Sequence, residues 1–135
     1  MKLSTLSKFA VVIILSGFGM SAFAANDITG KWQCSGYDPQ TKAKITMTGV
    51  IKKTGKNTYS FTDWTNIKTG EKLKATGVQN QNHDENFAIV YWADDKPGYI
   101  GFGIYELQSD GNLAGHRTTK EGTLVGEELC TRMQA

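Results

Sequence analysis

The chain has 135 residues with 15 basic and 13 acidic side chains, so its formal net charge is only +2. Two basic residues, Lys2 and Lys8, lie within the first 24 positions, and the remaining 13 basic residues balance the 13 acidic ones. This balance argues against a nucleic-acid-binding protein, which would be expected to keep a basic excess or a one-sided basic stripe. The length beyond those positions suits one compact domain.

The first 24 residues have the parts of a secretory signal peptide. A positively charged start is followed by a short apolar run, Phe9 to Leu15, and by a small-x-small cleavage site, Ala22 to Ala24. The apolar run is short for a membrane span, although an uncleaved anchor remains the alternative. We therefore expect a signal peptide over residues 1–24 and a single exported domain over residues 25–135. The mature chain should have no membrane span and should lie in the periplasm or outside the cell.

Short runs of β-branched and aromatic residues alternate with glycine, asparagine and aspartate turns along the mature chain. This spacing is typical of an all-β domain, and no stretch keeps a helical apolar period. Eight strands are predicted, at about residues 30–36, 44–52, 57–64, 72–79, 86–93, 99–108, 112–118 and 124–133. Glycines within these strands should supply bends.

Eight consecutive strands leave two unpaired edges unless the sheet closes, so we expect an antiparallel up-and-down barrel. The alternative is an outer-membrane barrel, which needs longer strands and an uninterrupted apolar outer band. The strands predicted here are shorter and carry lysine and threonine on both faces. A water-soluble barrel is therefore favoured.

The two cysteines, Cys34 and Cys130, lie near opposite ends of the mature chain. In an exported protein one disulfide is the default interpretation, and a zinc site is the weaker alternative because no histidine lies nearby in sequence. If the first and last strands pair antiparallel with the cysteines opposite each other, Trp32 faces Arg132 on the same side of the sheet. An arginine over an indole ring forms a favourable cation–π contact. We predict that these four residues have a structural role where the barrel closes.

These residues also carry a resemblance. The sequence "GKW" (30–32) on the first strand, together with Arg132 on the last strand, resembles the pattern of the calycin superfamily of lipocalin, fatty-acid-binding and avidin-like barrels. In that superfamily the tryptophan plugs the closed end of the barrel. The chain also resembles a set of short, mostly uncharacterised secreted bacterial proteins, through a loose pattern that includes "DGNLAG" (110–115) and "GEEL" (126–129). The resemblance implies a calycin-like binding barrel without identifying a ligand.

Aromatic residues cluster at strand ends beside the first, third and fifth loops. In an up-and-down barrel these loops meet at one rim, opposite the end that Trp32 would plug. Aromatic side chains give a ligand a large contact area and, in tyrosine and tryptophan, a polar group, although strands favour aromatics in any case. We predict a ligand site at this rim, formed by Tyr37, Asp38, Trp64, Tyr91, Trp92 and Tyr99.

No set of residues in the sequence points to catalysis. His83 to Glu85 and Asp94 with Asp95 are typical of charged turns, and no serine lies in a nucleophile elbow. We expect no enzyme activity, no cofactor and no metal site. An enzyme would gain support if His116, Arg117 and Glu128 converged in a cleft.

The predicted function is to hold a small, largely apolar ligand in the barrel or at its mouth. The alternative is a protein-binding module that uses its outer surface or rim, as periplasmic inhibitors or host-matrix adhesins do. Eight strands enclose just enough space for side chains or one small ligand, so the interior volume should discriminate between the two. The sequence leaves the oligomeric state open.

Overall fold

The computed structural model describes residues 26–38, 41–122 and 125–134, and the predicted signal peptide lies outside these residues. Eight antiparallel strands form a closed barrel in which sequence neighbours pair and the last strand pairs with the first. The strands are β1 (Gly30–Tyr37), β2 (Lys44–Gly55), β3 (Thr58–Asn66), β4 (Lys72–Gln79), β5 (Asn86–Trp92), β6 (Ile100–Leu107), β7 (Leu113–Thr119) and β8 (Val125–Arg132). The predicted fold class is confirmed, and each strand agrees with its predicted bounds to within a few residues. Among the described residues, no helix has the length and apolar character needed to cross a membrane.

The barrel closes between β1 and β8 in the register that the cysteines predict. Cys34 pairs with Cys130 and Trp32 pairs with Arg132 across the two strands. The cysteines form the predicted disulfide, which joins positions 96 residues apart. The guanidinium carbon of Arg132 lies 4.6 Å from the centre of the Trp32 ring. The disulfide indicates an oxidising, extracytoplasmic environment.

One end of the barrel, which we call the closed end, lies where β1 begins and β8 finishes. The segment before β1 is hydrogen-bonded across it: the Trp32 indole donates to the Ile28 carbonyl at 2.8 Å, and Arg132 donates to the Thr29 carbonyl at 2.8 Å and to the Asp27 carbonyl. Ile28 and Trp32 are fully buried. At this end the Trp32 indole and the Arg132 guanidinium thus donate hydrogen bonds to the backbone carbonyls of the segment before β1. The opposite end, where β1 leads into β2, is called the loop end.

Inward-facing glycines make space for aromatic rings inside the barrel. A Cβ atom on Gly49 would lie 2.0 Å from the Trp64 ring, and one on Gly101 would lie 2.0 Å from the Tyr91 ring. Neither position can carry a side chain unless the ring moves, since real Cβ contacts are not this short. These glycines therefore determine which large rings the narrow interior can hold.

A β-bulge in β3 turns Trp64 into the interior. Asp63 and Trp64 together oppose the single residue Gly49 of β2. Asp63 has a φ of 56°, in the left-handed region that aspartate adopts more readily than most residues. Without the extra residue, the strand alternation from Phe61 would point Trp64 outward.

Candidate ligand cavity

The barrel encloses a cavity of about 90 Å³ that reaches toward the loop end. Its apolar side comes from β2, β3 and β4, through Ile45, Met47, Phe61, Trp64 and Leu73. Its polar side comes from β5 to β8, through Tyr91, Tyr105, Arg117 and Glu128. Because β3 and β7 lie opposite each other in a closed eight-stranded barrel, the two sides face each other across the cavity. The cavity has the volume of about three water molecules.

A buried ion pair between β7 and β8 forms the polar side. Arg117 Nε lies 3.0 Å from Glu128 Oε2, and the two side chains are 18% and 7% exposed. The Tyr105 hydroxyl donates to Glu128 Oε1 at 3.1 Å, so both carboxylate oxygens are engaged. Burial raises the pKa of Glu128, and Arg117 and Tyr105 partly offset that rise. Burial also raises the pKa of Tyr105 well above its ordinary value. In its ionised form the Arg117–Glu128 pair carries no net charge.

Arg117 retains hydrogen-bond donors for the cavity. A guanidinium group carries five N–H donors. Within the described part of the chain, its acceptors are the Glu128 carboxylate and the Tyr91 hydroxyl. The contact with Glu128 is close but poorly aligned, since no acceptor among the described residues lies in hydrogen-bond geometry to Arg117 Nε, an atom that is itself fully buried. The Tyr91 and Tyr105 hydroxyls already donate within the protein, so Arg117 is the group on the polar side that can donate to a ligand.

Three of the six residues predicted for the ligand site line this cavity, namely Trp64, Tyr91 and Tyr99. The rings of Tyr91 and Tyr99 are 6.2 Å apart, and the Tyr91 hydroxyl donates to the Thr118 carbonyl at 3.1 Å. That hydrogen bond holds the Tyr91 ring in place beside Arg117. The structure thus brings half of the predicted set together inside the barrel.

The other three predicted residues lie elsewhere. Tyr37 is exposed at the end of β1, and Trp92 follows inward-facing Tyr91 on β5 and so faces the outside. Asp38 is half-buried beyond β1, and its carboxylate accepts a hydrogen bond from the Thr41 backbone at 2.9 Å. Asp38 thereby shapes the turn into β2.

Two loops meet at the loop end of the cavity. Lys96, between β5 and β6, donates to the Glu71 carboxylate between β3 and β4 at 2.6 Å. The same ammonium group lies 5.9 Å from the centre of the Tyr99 ring. Both Glu71 and Tyr99 line the cavity. Because the ion pair is partly exposed, it holds the two loops together only weakly.

The sequence singled out Arg117 and Glu128 only together with His116, as a conditional enzyme site. The structure brings the arginine and the glutamate together, but His116 is exposed on the outer face of β7. A signal for the buried pair exists in the strand alternation: Glu128 has the same phase as inward-facing Cys130, and Arg117 shares the phase of buried Leu113.

The sulfur atoms of Cys34 and Cys130 lie close to a Glu128 carboxylate oxygen, a grouping that has the composition of a metal site. Both sulfurs are in the disulfide and offer no thiolate, the form of cysteine that binds metals. Glu128 is itself engaged by Arg117 and Tyr105. The grouping therefore belongs to the packing of the β1–β8 junction.

Comparisons with known proteins leave the family open. No protein-family model matches the chain, and no curated protein does. The fold is established by the strand order and register of the structure. Because one fold can host many functions, function must be argued from the cavity and the surface.

Proposed function

We propose that this protein is an exported, calycin-like binding protein that holds a small, largely apolar molecule inside its barrel. The observation that carries this proposal is the cavity, with its apolar side facing a small polar one. Ligand sites in proteins are concave and mostly apolar, with a few polar groups that orient the ligand. The placement of Trp64, Tyr91 and Tyr99 supports entry from the loop end, because Trp32 fills the closed end. The predicted signal peptide and the disulfide support a periplasmic or extracellular location.

The size of the cavity limits the ligand. An apolar cavity of about 150 Å³ is sufficient to bind benzene. The present cavity, at about 90 Å³, fits a somewhat smaller molecule. We expect a compact ligand of about five non-hydrogen atoms, with its apolar part against Phe61, Trp64 and Leu73.

The three tryptophans provide a test with internal controls. Trp64 lines the cavity, Trp32 closes the other end and Trp92 faces the outside. The ¹⁵N-labelled protein is titrated with 2-methyl-1-butene while the three indole N–H signals, assigned through single Trp→Phe variants, are followed by NMR. We expect a saturable shift of the Trp64 signal and little change at Trp32 and Trp92.

A variant that fills the cavity controls this titration. Ala75 is buried and lines the cavity, so Ala75→Leu adds bulk at its wall. The variant should keep the strand signals of the barrel and lose the shift at Trp64. If the wild type shows no saturable shift at Trp64, or if the signal of Trp92 moves instead, the interior site is wrong.

The outer face of β5 and β6 favours a second candidate, a protein-binding module. Ile100, Phe102 and Ile104 face outward from β6 and are 39%, 49% and 65% exposed. Their direct partners on β5 are also apolar, and the six residues together form what we call the apolar wall: Ala88, Val90, Trp92, Ile100, Phe102 and Ile104. A contiguous exposed apolar patch of this kind is typical of an interaction surface.

A second copy of the chain is the first partner to test on the apolar wall. The row of the wall nearest the loop end is flanked by Lys120 and by Lys74, which is already paired with Asp94, whereas Glu106 follows the wall toward the closed end. Two copies packed with their strands antiparallel would place opposite charges together. Sedimentation equilibrium should then show a dimer that Phe102→Ser converts to monomer. A wild-type monomer at every concentration would contradict self-association.

A further inference from the structure

We infer that the ligand carries one uncharged carbonyl group, whose oxygen accepts a hydrogen bond from Arg117. This inference rests on the proposed interior site and specifies the class of molecule that the site would hold. The ligand class is a small neutral carbonyl compound, such as a ketone, aldehyde or ester. Its apolar part would contact β3 while its oxygen faces β7.

Arg117 lines the cavity and can donate to a ligand there. Its guanidinium carries five N–H donors, and its described partners are the Glu128 carboxylate and the Tyr91 hydroxyl. A buried donor without an acceptor is costly, and a hydrogen bond to a charged group is stronger than one between neutral groups. An acceptor on the ligand would therefore contribute more here than additional apolar surface would.

The charge balance of the polar side favours an uncharged ligand. Glu128 already neutralises Arg117 at 3.0 Å, inside a wall where the glutamate is only 7% exposed. A carboxylate ligand would add an uncompensated negative charge next to Glu128, and an unpaired buried charge is strongly unfavourable. The site around Arg117 should therefore bind a neutral hydrogen-bond acceptor more tightly than an anion.

A ligand hydroxyl would bring its own proton, which needs an acceptor in the cavity. Each Glu128 oxygen already faces one partner, Arg117 or Tyr105, and Tyr91 donates its proton to the backbone of β7. A carbonyl oxygen accepts without bringing a proton, whereas a hydroxyl would also have to share a Glu128 oxygen that already has a partner.

Three probes of nearly identical shape test the inference: butanone, 2-methyl-1-butene and propanoate. The alkene has a methylene in place of the carbonyl oxygen of butanone, and propanoate has a negatively charged oxygen in place of its methyl group. Dissociation constants are measured from the Trp64 indole signal, with Trp32 and Trp92 as internal controls. We expect butanone to bind about threefold or more tightly than the alkene, because only the ketone supplies the acceptor. Propanoate should bind most weakly.

Two variants separate the hydrogen bond from the charge balance. Glu128→Gln keeps an acceptor for Tyr105 and leaves Arg117 with a net positive charge, so propanoate should become the tightest of the three probes. Arg117→Met removes the donor and should abolish the preference for butanone over the alkene. The glutamine variant keeps the test available even if Arg117→Met does not fold.

The possible outcomes are distinguishable. If butanone and the alkene bind equally at Trp64, the carbonyl inference is wrong and the interior binding site stands. If propanoate binds tightest to the wild type, the charge-balance argument is wrong. If none of the probes shifts the Trp64 signal, both the interior site and the carbonyl inference fail.

Discussion

Two arginines from the last two strands mark the two parts of this barrel and differ in the use of their donors. Arg132, at the closed end, stacks on Trp32 and donates to the carbonyls of Thr29 and Asp27. Arg117 lines the cavity, where its described partners are the Glu128 carboxylate and the Tyr91 hydroxyl. An arginine whose donors are bonded to backbone carbonyls has a structural role, whereas an arginine that lines a cavity can also donate a hydrogen bond to a ligand. Variants at the closed end should therefore affect stability, and those at the cavity should also affect binding.

The largest expected effect on stability comes from removing the disulfide between β1 and β8. Cys34 and Cys130 close a loop between positions 96 residues apart. A loop of that length restricts the unfolded chain enough to stabilise the native state by about 4.7 kcal/mol. Urea unfolding of the Cys34→Ala/Cys130→Ala variant should show a loss near that size. Because both cysteines also line the cavity, binding is not the readout of this variant. An unchanged free energy of unfolding would contradict the stabilising role of the disulfide.

Breaking the buried ion pair should have the next largest effect. Glu128→Leu leaves the Arg117 charge buried without its partner, which typically costs about 3–5 kcal/mol. The double variant Arg117→Met/Glu128→Leu replaces the pair by apolar groups and should be more stable than either single variant. A double-mutant cycle from urea unfolding measures this coupling. Additive losses would mean that the two side chains do not act as a pair.

The aromatic side of the cavity can be tested through its glycines. Gly101→Ala would place a Cβ against the Tyr91 ring, whereas a Cβ on Gly126 would meet its nearest atom only at 3.4 Å. Overpacking of this kind costs about 1–3 kcal/mol, so Gly101→Ala should be destabilised and should weaken butanone binding. Gly126→Ala is the matched control and should change neither property much. Equal effects of the two substitutions would show that ring placement is not the cause.

The smallest effect is expected from Arg132→Met. This variant keeps an unbranched side chain over Trp32 and removes the cation–π contact and the hydrogen bonds to the segment before β1. Because the guanidinium is exposed, we expect a loss of about 1 kcal/mol in the free energy of unfolding. Butanone affinity should stay unchanged, which separates this arginine from Arg117. A marked change in affinity would place Arg132 in the binding machinery.

The sequence predicted the strands and the closure of the barrel well, because strand alternation and the two cysteines indicate them directly. The eight strands, the disulfide and the pairing of Trp32 with Arg132 all follow from period-two patterns and one register condition. The inward turn of Trp64 was harder to foresee, because it depends on a bulge at Asp63 that shifts the alternation by one residue.

The candidate site was predicted only in part. The rim prediction grouped residues by their distance along the strands and did not separate the inward side chain of Tyr91 from the outward one of its neighbour Trp92. The Arg117–Glu128 pair joins two strands diagonally, since Arg117 is opposite Gly126 and Glu128 is opposite Gly115. Such a contact depends on side-chain reach as well as register, so the sequence could list both residues without establishing that they meet.

We propose that the cavity, and not the closed end or the outer wall, is the binding site. Intermolecular nuclear Overhauser effects between the methyl protons of butanone and the aromatic protons of the protein test this proposal most directly. We expect contacts from the probe to the rings of Trp64 and Tyr91 and none to Trp32. Contacts confined to Trp92 or Phe102, or to Trp32, would contradict it.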